Sequence, residues 1–251
     1  MPNLLVIGGS DSSGGAGVSA DIQTIHHLGG SSSLCVTAVT AQGPRGFFQS
    51  HAIPGSILQA QLESIREQSI DGIKIGMLPN TESIDIVAAF LNSVSSPFVI
   101  IDPVLKSSSG GTLCSDDCVS SFKKNLFSLA TLITPNLDEA NFLTQESCSQ
   151  YEGVPKLAEK FLTYGSDAVL IKGGHLESSD CKDFLMFQDG TVKSFVHDRI
   201  LNGTDVRGTG CRLASAIAYY FVCNKNLTLS IDNAIDHINE YIARKAVPRI
   251  I

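Results

Sequence analysis

The sequence predicts an α/β fold, with a central, mostly parallel sheet, helices on both faces and a peripheral β-hairpin. Three observations predict it. Short apolar, β-branched runs alternate with stretches whose apolar residues recur at helical spacing, the pattern of strand–helix–strand units. The strand-like runs are apolar almost throughout, as strands covered on both faces are. Late in the chain one segment breaks the alternation with two strand-like runs around Asp189-Gly190, a hairpin signal.

In chain order, the buried strands are "NLLVIG" (3–8), "LCVTAVT" (34–40), "GIKIGM" (72–77), "FVIID" (98–102), "ATLIT" (130–134) and "AVLIK" (168–172). Val18, Ile22, Ile25 and Leu28 mark a helix after the first. Ile57, Leu58, Leu62 and Ile65 mark another after the second. The hairpin is "DFLMFQDGTVKSFVHD" (183–198). Without a long Pro/Ser linker, a low-complexity tract or a repeat, residues 1–251 read as a single domain.

Composition narrows the partners. The net charge is −7, and no run of Lys or Arg is longer than Lys123-Lys124, so no basic stripe offers itself to nucleic acid. An acidic protein that binds phosphate must do so locally, with backbone N–H groups and a few cations. The start, "MPNLLVIGGSDSS", lacks a basic n-region, and no apolar run reaches membrane-spanning length. Seven cysteines form no C-x-x-C pair, and Cys114 with Cys118 alone make a poor zinc signal. These features lead us to expect a soluble, cytoplasmic protein with no membrane partner.

In open α/β sheets ligands bind beyond the carboxyl ends of the strands. Six such ends carry "GGSDSSGGAG", "TAQG", "GML", "DPV", "TPNLDEA" and "KGGH". Loops hold such residues anyway, but the set at one sheet edge favours a site. Gly15 to Ala20 fit the loose dinucleotide pattern G-x-G-x-x-A. Yet several residues separate them from the strand, whereas that pattern turns directly under a pyrophosphate. No Gly-Lys-Ser/Thr follows the glycines, so this is not a P-loop. Gly14, Gly15 and Gly17 suit a backbone that comes against a ligand or a facing helix. Asp21 falls in the first turns of the helix that follows, where an acid compensates the dipole in many proteins.

"DVRGTGCRLASAIA" (205–218) carries the sharper chemistry. A helix starting near Gly210 aims free N–H groups outward, and Gly208, Thr209 and Gly210 permit close approach. This makes an anion hole. Cys211 in its first turn would have a lowered thiol pKa. The competing reading is a buried cysteine at a glycine-rich helix start. Asn136 and Glu139, with Asp102 at a neighbouring strand end, are oxygen ligands of the kind Mg²⁺ takes; Glu139 equally reads as a helix-start acid after an Asn cap. Lys172 could neutralise a phosphate or reach solvent.

Together these motifs resemble the hydroxymethylpyrimidine and phosphomethylpyrimidine kinases of thiamine biosynthesis, in the ribokinase-like superfamily. The pieces are "GSDSSGGAGVSADIQT", "TAVTAQ", "KIGML", "DPV…SG", "TPNLDEA", "KGGHL" and "GTGC", in the family's order from residue 9 to 211. The resemblance implies a three-layer α/β/α fold, ATP with Mg²⁺, a pyrimidine alcohol as small-molecule substrate and a homodimer. It implies that Gln42 binds the amino-pyrimidine edge, with Asp21, Gly9, Ala16, Met77 and Val104 lining the same pocket. Asn136 and Glu139 would serve the Mg²⁺–phosphate end, and Lys172 and Gly173 would lie near ATP. Gly208, Thr209, Gly210 and Cys211 would form the anion hole, with Cys211 near the hydroxymethyl group; on our own reading of the helix start, Cys211 as a partly ionised thiol would take the hydroxyl proton. Two departures stand beside it. Asp205-Val206-Arg207 replaces the family's Asn-Thr-His, and Arg212 replaces Thr or Ser, so both put charge near the expected phosphate site. Arg212 could add a phosphate contact or crowd the helix start. "SSSGGTLCSDDC" (107–118) reads as a mobile flap. Pyridoxal kinase activity, a non-catalytic pyrimidine-binding protein and a dinucleotide oxidoreductase are the rival readings.

Overall fold

A computed structural model describes residues 1–43, 45–94, 98–105, 113–114, 117–174, 180–200, 203 and 206–246. The elements run β1 (Asn3–Asp11), α1 (Gly17–His27), β2 (Ser31–Gly43), β3 (Gly46–Ala52), α2 (Gly55–Ser64), β4 (Gly72–Ile75), α3 (Thr81–Ser93) and β5 (Phe98–Ile101). They continue with α4 (Asp117–Ser121), β6 (Leu132–Ile133), α5 (Leu137–Thr144), α6 (Val154–Leu162), β7 (Ala168–Ile171), β8 (Asp180–Phe187), β9 (Val192–Asp198), α7 (Thr209–Asn224) and α8 (Leu227–Ala246).

The described strands form one nine-stranded sheet in the order β3-β2-β1-β4-β5-β6-β7-β8-β9. From β2 to β7 every pairing is parallel. The edges are antiparallel, with β3 on β2 at one side and β8 and β9 at the other. Side-chain alternation sorts the core into two layers. Leu4, Val6, Ile100 and Leu170 pack on α1, α7 and α8. Leu5, Ile7, Ile101 and Ile171 pack on α2 to α6. The three-layer architecture is therefore the expected one.

Two differences from the sequence reading have physical causes. β3, "GFFQSHA", was not expected. Its side chains are exposed or half-buried, so it carries no buried alternation, and only its ladder to β2 makes it a strand. β6 is shorter than "ATLIT": only Leu132 and Ile133 pair in register with β5, while Thr131 N and Thr134 N still donate to Val99 O and Ile101 O of β5 at either end. The expected hairpin is present, with Gly190 at φ +84° in its turn. Residues 107–112 and 115–116 of the expected flap lie outside the described residues.

Candidate active site

A cavity of about 800 Å³ opens at the carboxyl ends of the parallel strands. Gly9, Ala16, Asp21, Gln42, Met77 and Val104 line it, as do Asp102, Asn136, Glu139 and Lys172 and the run Gly208, Thr209, Gly210 and Cys211. Gly173 is the exception among the expected residues. Its N–H donates to Asp183 Oδ1 at 2.9 Å, which commits it to the hairpin, and Gly174 faces the cavity instead.

The α7 N-terminus is built by close backbone approach. Gly208 takes φ +74° and Gly17 φ +58°. A Cβ on Gly17 would strike the carbonyl oxygen of Gly9, and one on Gly208 that of Gly15. These glycines let the β1–α1 loop and the α7 start pack on each other. Of the loop glycines singled out by the sequence, Gly17 closes on β1 and Gly15 on Gly208, while Gly14 faces open space. Asp11 shapes that loop: Oδ1 accepts from Ser13 N at 2.8 Å and Oδ2 from Ala16 N at 2.9 Å. The first bond of α7 runs from Arg212 N to Gly208 O. The N–H groups of Thr209, Gly210 and Cys211 precede it and fall among the groups a helix start leaves for caps or ligands.

Cations gather at the same place. Lys172 Nζ donates to Asp102 Oδ1 at 2.8 Å, and an added Cβ on Gly210 would lie 3.3 Å from that ammonium. Burial pulls Lys172 down, but Asp102 and Glu139 outweigh it and hold the ammonium above its ordinary range. Burial likewise pushes Asp102 up, and Lys172 and Lys74 more than reverse it. Thr134 adds a weak bond to the same carboxylate at 3.3 Å.

At the cavity wall Lys74 Nζ meets Asp21 Oδ2 at 2.9 Å, with each side chain 1% exposed. Ser215 Oγ donates to Asp21 Oδ1 at 2.8 Å. Burial pulls Lys74 down, yet Asp21 with Cys211 and Asp102 raises it above its ordinary value; burial pushes Asp21 up against the pull of Lys74. Asp21 thus lies beyond the first turn of α1 and is a charge partner in the core rather than a dipole-compensating acid.

Cys211 corrects the expectation of an ionised thiol. Desolvation pushes it up to about 11, and the nearby Lys74 recovers only part of the shift. The helix-start effect loses to desolvation by the packing around Cys211, which is half-buried at the cavity wall. Asn136 and Glu139 form a reciprocal cap on α5: Asn136 Oδ1 accepts from Glu139 N and Glu139 Oε2 from Asn136 N, both at 2.8 Å. Burial pushes Glu139 up to about 7, while Lys172 pulls the other way.

With this geometry in place, the family model for phosphomethylpyrimidine kinase matches residues 11–249. The chain belongs to the phosphomethylpyrimidine kinase family. A hydroxymethylpyrimidine/phosphomethylpyrimidine kinase of Aquifex aeolicus is 38% identical over 241 residues, covering 95% of this chain and 93% of that one. A thiamine biosynthesis bifunctional protein of Geobacter sulfurreducens is also 38% identical over 241 residues. The match covers 96% of this chain, which spans only 49% of that protein. Among solved structures, phosphomethylpyrimidine kinase from Clostridium difficile 630 superposes with a TM-score of 0.84 at 30% identity, covering 96% of this chain and 100% of that one. An ADP complex of Bacillus subtilis pyridoxal kinase gives 0.87 at 28% identity, with 97% and 92% covered. The fold is thus ribokinase-like.

Within this family member the two departures resolve differently from their sequence reading. Arg212 is buried and turns away from the cavity. Its Nη1 donates to Ala20 O and Thr24 Oγ1, both at 3.3 Å, and its Nη2 to Gln23 Oε1 at 2.8 Å. Its guanidinium carbon lies 4.3 Å from the Tyr241 ring centroid. It ties α1, α7 and α8 together, outside the cavity lining. Arg207 turns onto Asp11, Ser13 and the cavity-lining Gln42.

Sequence reasoning missed Lys74, although a lysine inside "GIKIG" is itself a signal, since buried lysines need a partner. It missed Asp11 as well. It also missed Ile235, Ile238 and Ile242, which bring an apolar wall from α8 to the cavity. Nothing local marks them, because they are ordinary core-facing positions of a helix.

Proposed function

We propose that this kinase transfers the γ-phosphoryl group of ATP to the hydroxymethyl group of 4-amino-5-hydroxymethyl-2-methylpyrimidine, and then to the resulting monophosphate, in thiamine biosynthesis. One observation carries the reading: the Lys172–Asp102 pair lies against Gly210 at the N-terminus of α7, inside a cavity that also holds Gln42, Met77 and Val104.

The roles follow from the chemistry of each group. Gln42 has an amide donor and acceptor for a ring nitrogen beside an amino group, and Met77 and Val104 supply apolar contact for the ring. The apolar α8 wall suits a nucleotide base. Phosphoryl transfer passes through a loose transition state, so positioning and charge stabilisation dominate. The hydroxyl oxygen attacks the γ-phosphorus as the bond to the bridging oxygen breaks. The N–H groups of Thr209 to Cys211 and the Lys172 ammonium receive the charge that spreads onto the oxygens. A neutral Cys211 thiol offers no thiolate to take the proton. A loose transition state needs little base, so the hydroxyl proton leaves late, to phosphate oxygen or water.

For Mg²⁺, the described residues hold no group of three or more His, Cys, Asp or Glu able to cage a metal ion. Magnesium binds nucleotides through phosphates and one or two carboxylates while keeping waters. Asp102 and Glu139 fit that manner of binding, and the ion would neutralise phosphate charge there. A homodimer and a cytoplasmic location belong to the same reading; no helix among the described residues is long and apolar enough to cross a membrane.

The test is ATP with Mg²⁺ and the pyrimidine alcohol, followed for mono- and diphosphate by mass, with pyridoxal in parallel. Pyrimidine phosphates forming faster are the expected result. Faster pyridoxal phosphate would assign the site to the other alcohol, and no product from either would mark a binding protein.

A further inference from the structure

We propose that Arg207 is the positioning residue that sets the amide of Gln42, and through it the affinity of the cavity for its ring substrate. The proposal rests on the functional reading above for the identity of that substrate. Arg207 directly precedes the glycines of the anion hole, but it does not line the cavity, whereas Gln42 does. Its Nη2 donates to Gln42 Oε1 at 3.0 Å and to Asp11 Oδ2 at 3.4 Å, and its Nη1 to Ser13 Oγ at 3.1 Å.

A guanidinium only donates, so the Gln42 atom facing it must be the carbonyl oxygen. The amide therefore has one orientation, fixed by chemistry. The Gln42 backbone is held separately. Ser12 Oγ donates to Gln42 O at 2.8 Å and accepts from Gln42 N at 3.0 Å. Arg207 is itself anchored, its side chain 22% exposed against an Asp11 side chain with no exposure. Backbone and side chain of Gln42 are thus set before a ligand arrives. Pre-ordering of this kind removes part of the cost that a flexible side chain adds to binding. The β1–α1 loop, the end of β2 and the start of α7 meet in this one clamp.

The experiment is a double-mutant cycle with steady-state kinetics on the pyrimidine alcohol and ATP. Arg207→Met is expected to raise KM for the alcohol about three- to tenfold, well beyond its effect on kcat or on KM for ATP. In a Gln42→Ala background the same substitution should change KM by less than about twofold. An unchanged KM, an equal rise in KM for ATP, or additive effects in the two backgrounds would overturn the proposal; additivity would mean that Arg207 acts through Asp11 alone. Arg207→Lys keeps a charge beside Asp11 and serves where the Met variant does not fold. The ammonium lacks the second nitrogen that anchors the guanidinium on Ser13 Oγ, and its freely rotating donors set no plane for the amide, so KM stays raised. Wild-type protein without turnover would overturn the functional reading only. The clamp is then read from ¹⁵N relaxation of the Gln42 side-chain amide in unliganded protein. Order in wild type and mobility in Arg207→Met support it, and equal order in both overturns it.

Discussion

Lys172 donates to Asp102 across 2.8 Å, from the end of β7 to the residue that follows β5, and the pair faces Gly210 in the first turn of α7. This arrangement fixes a cation where the helix already directs N–H groups. Lys172→Met is expected to lower kcat about 10²- to 10³-fold, with a smaller change in KM for the alcohol. Steady-state kinetics against both substrates checks it, and a purely structural lysine would leave kcat nearly intact in the folded fraction.

Cys211 keeps its proton through neutrality, since its thiol is pushed up to about 11. Cys211→Ser should therefore retain kcat within about threefold, because little base is needed in a loose transition state. Its pH profile from about pH 6 to 9 should parallel that of wild type, a thiol at 11 having no limb in that window. A wild-type acid limb in that window, where protonation of the thiolate lowers activity, lost in Cys211→Ser together with a large drop in kcat, would restore the thiolate base.

Glu139 gives a stability signature with a definite sign. Its carboxyl ionises near 4.5 in the unfolded chain and near 7 in the native one, so the folded protein holds the proton more tightly. The contribution of the protonated form is complete below about 4.5 and is lost as the pH rises through about 7. Glu139→Gln keeps an acceptor for Asn136 and cannot ionise. Its Tm relative to wild type should rise between about pH 5 and pH 8, and a constant difference across that range would contradict the buried carboxyl.

The Lys74–Asp21 pair predicts an asymmetry between single and double substitutions. Lys74→Met leaves a buried carboxylate without its cation and should cost about 3–5 kcal/mol. Lys74→Met with Asp21→Leu removes both charges and should recover much of that loss. Urea unfolding of wild type, Lys74→Met, Asp21→Leu and the double variant distinguishes the cases; additive losses would mean that the two side chains act separately.

Arg212→Leu removes three hydrogen bonds and the stack on Tyr241. A loss of about 2–3 kcal/mol is expected, read as a Tm about 4–12 °C lower. KM for ATP in the folded protein should stay within about twofold of wild type. A rise well beyond that would put the arginine back at the phosphates.

Much of the site was legible because its parts are local. "GTGC" before an apolar helical run announces a helix N-terminus, "TPNLDEA" announces a capped α5, and both capping side chains bond as the spacing implies. Charge partners were not legible, because each joins residues far apart in sequence. Arg212 and Arg207 read as neighbours of the phosphate site, yet the side chains swing onto α1 and onto the β1–α1 loop. The thiol of Cys211 was misjudged for a related reason. A helix start lowers a pKa locally, whereas desolvation depends on everything packed around the sulfur.

By itself the sequence determined the alternation of strands and helices, the sheet edge that carries the ligand-binding loops and the chemistry available there. These follow from side-chain period, turn residues and capping patterns, which act over a few positions. Only the tertiary structure decided which strands border which, that residues 46–52 form an edge strand, that Lys74 answers Asp21, and that Arg207 holds Gln42. Those outcomes depend on packing and on the need of each buried charge for a partner, and a partner can lie anywhere along the chain.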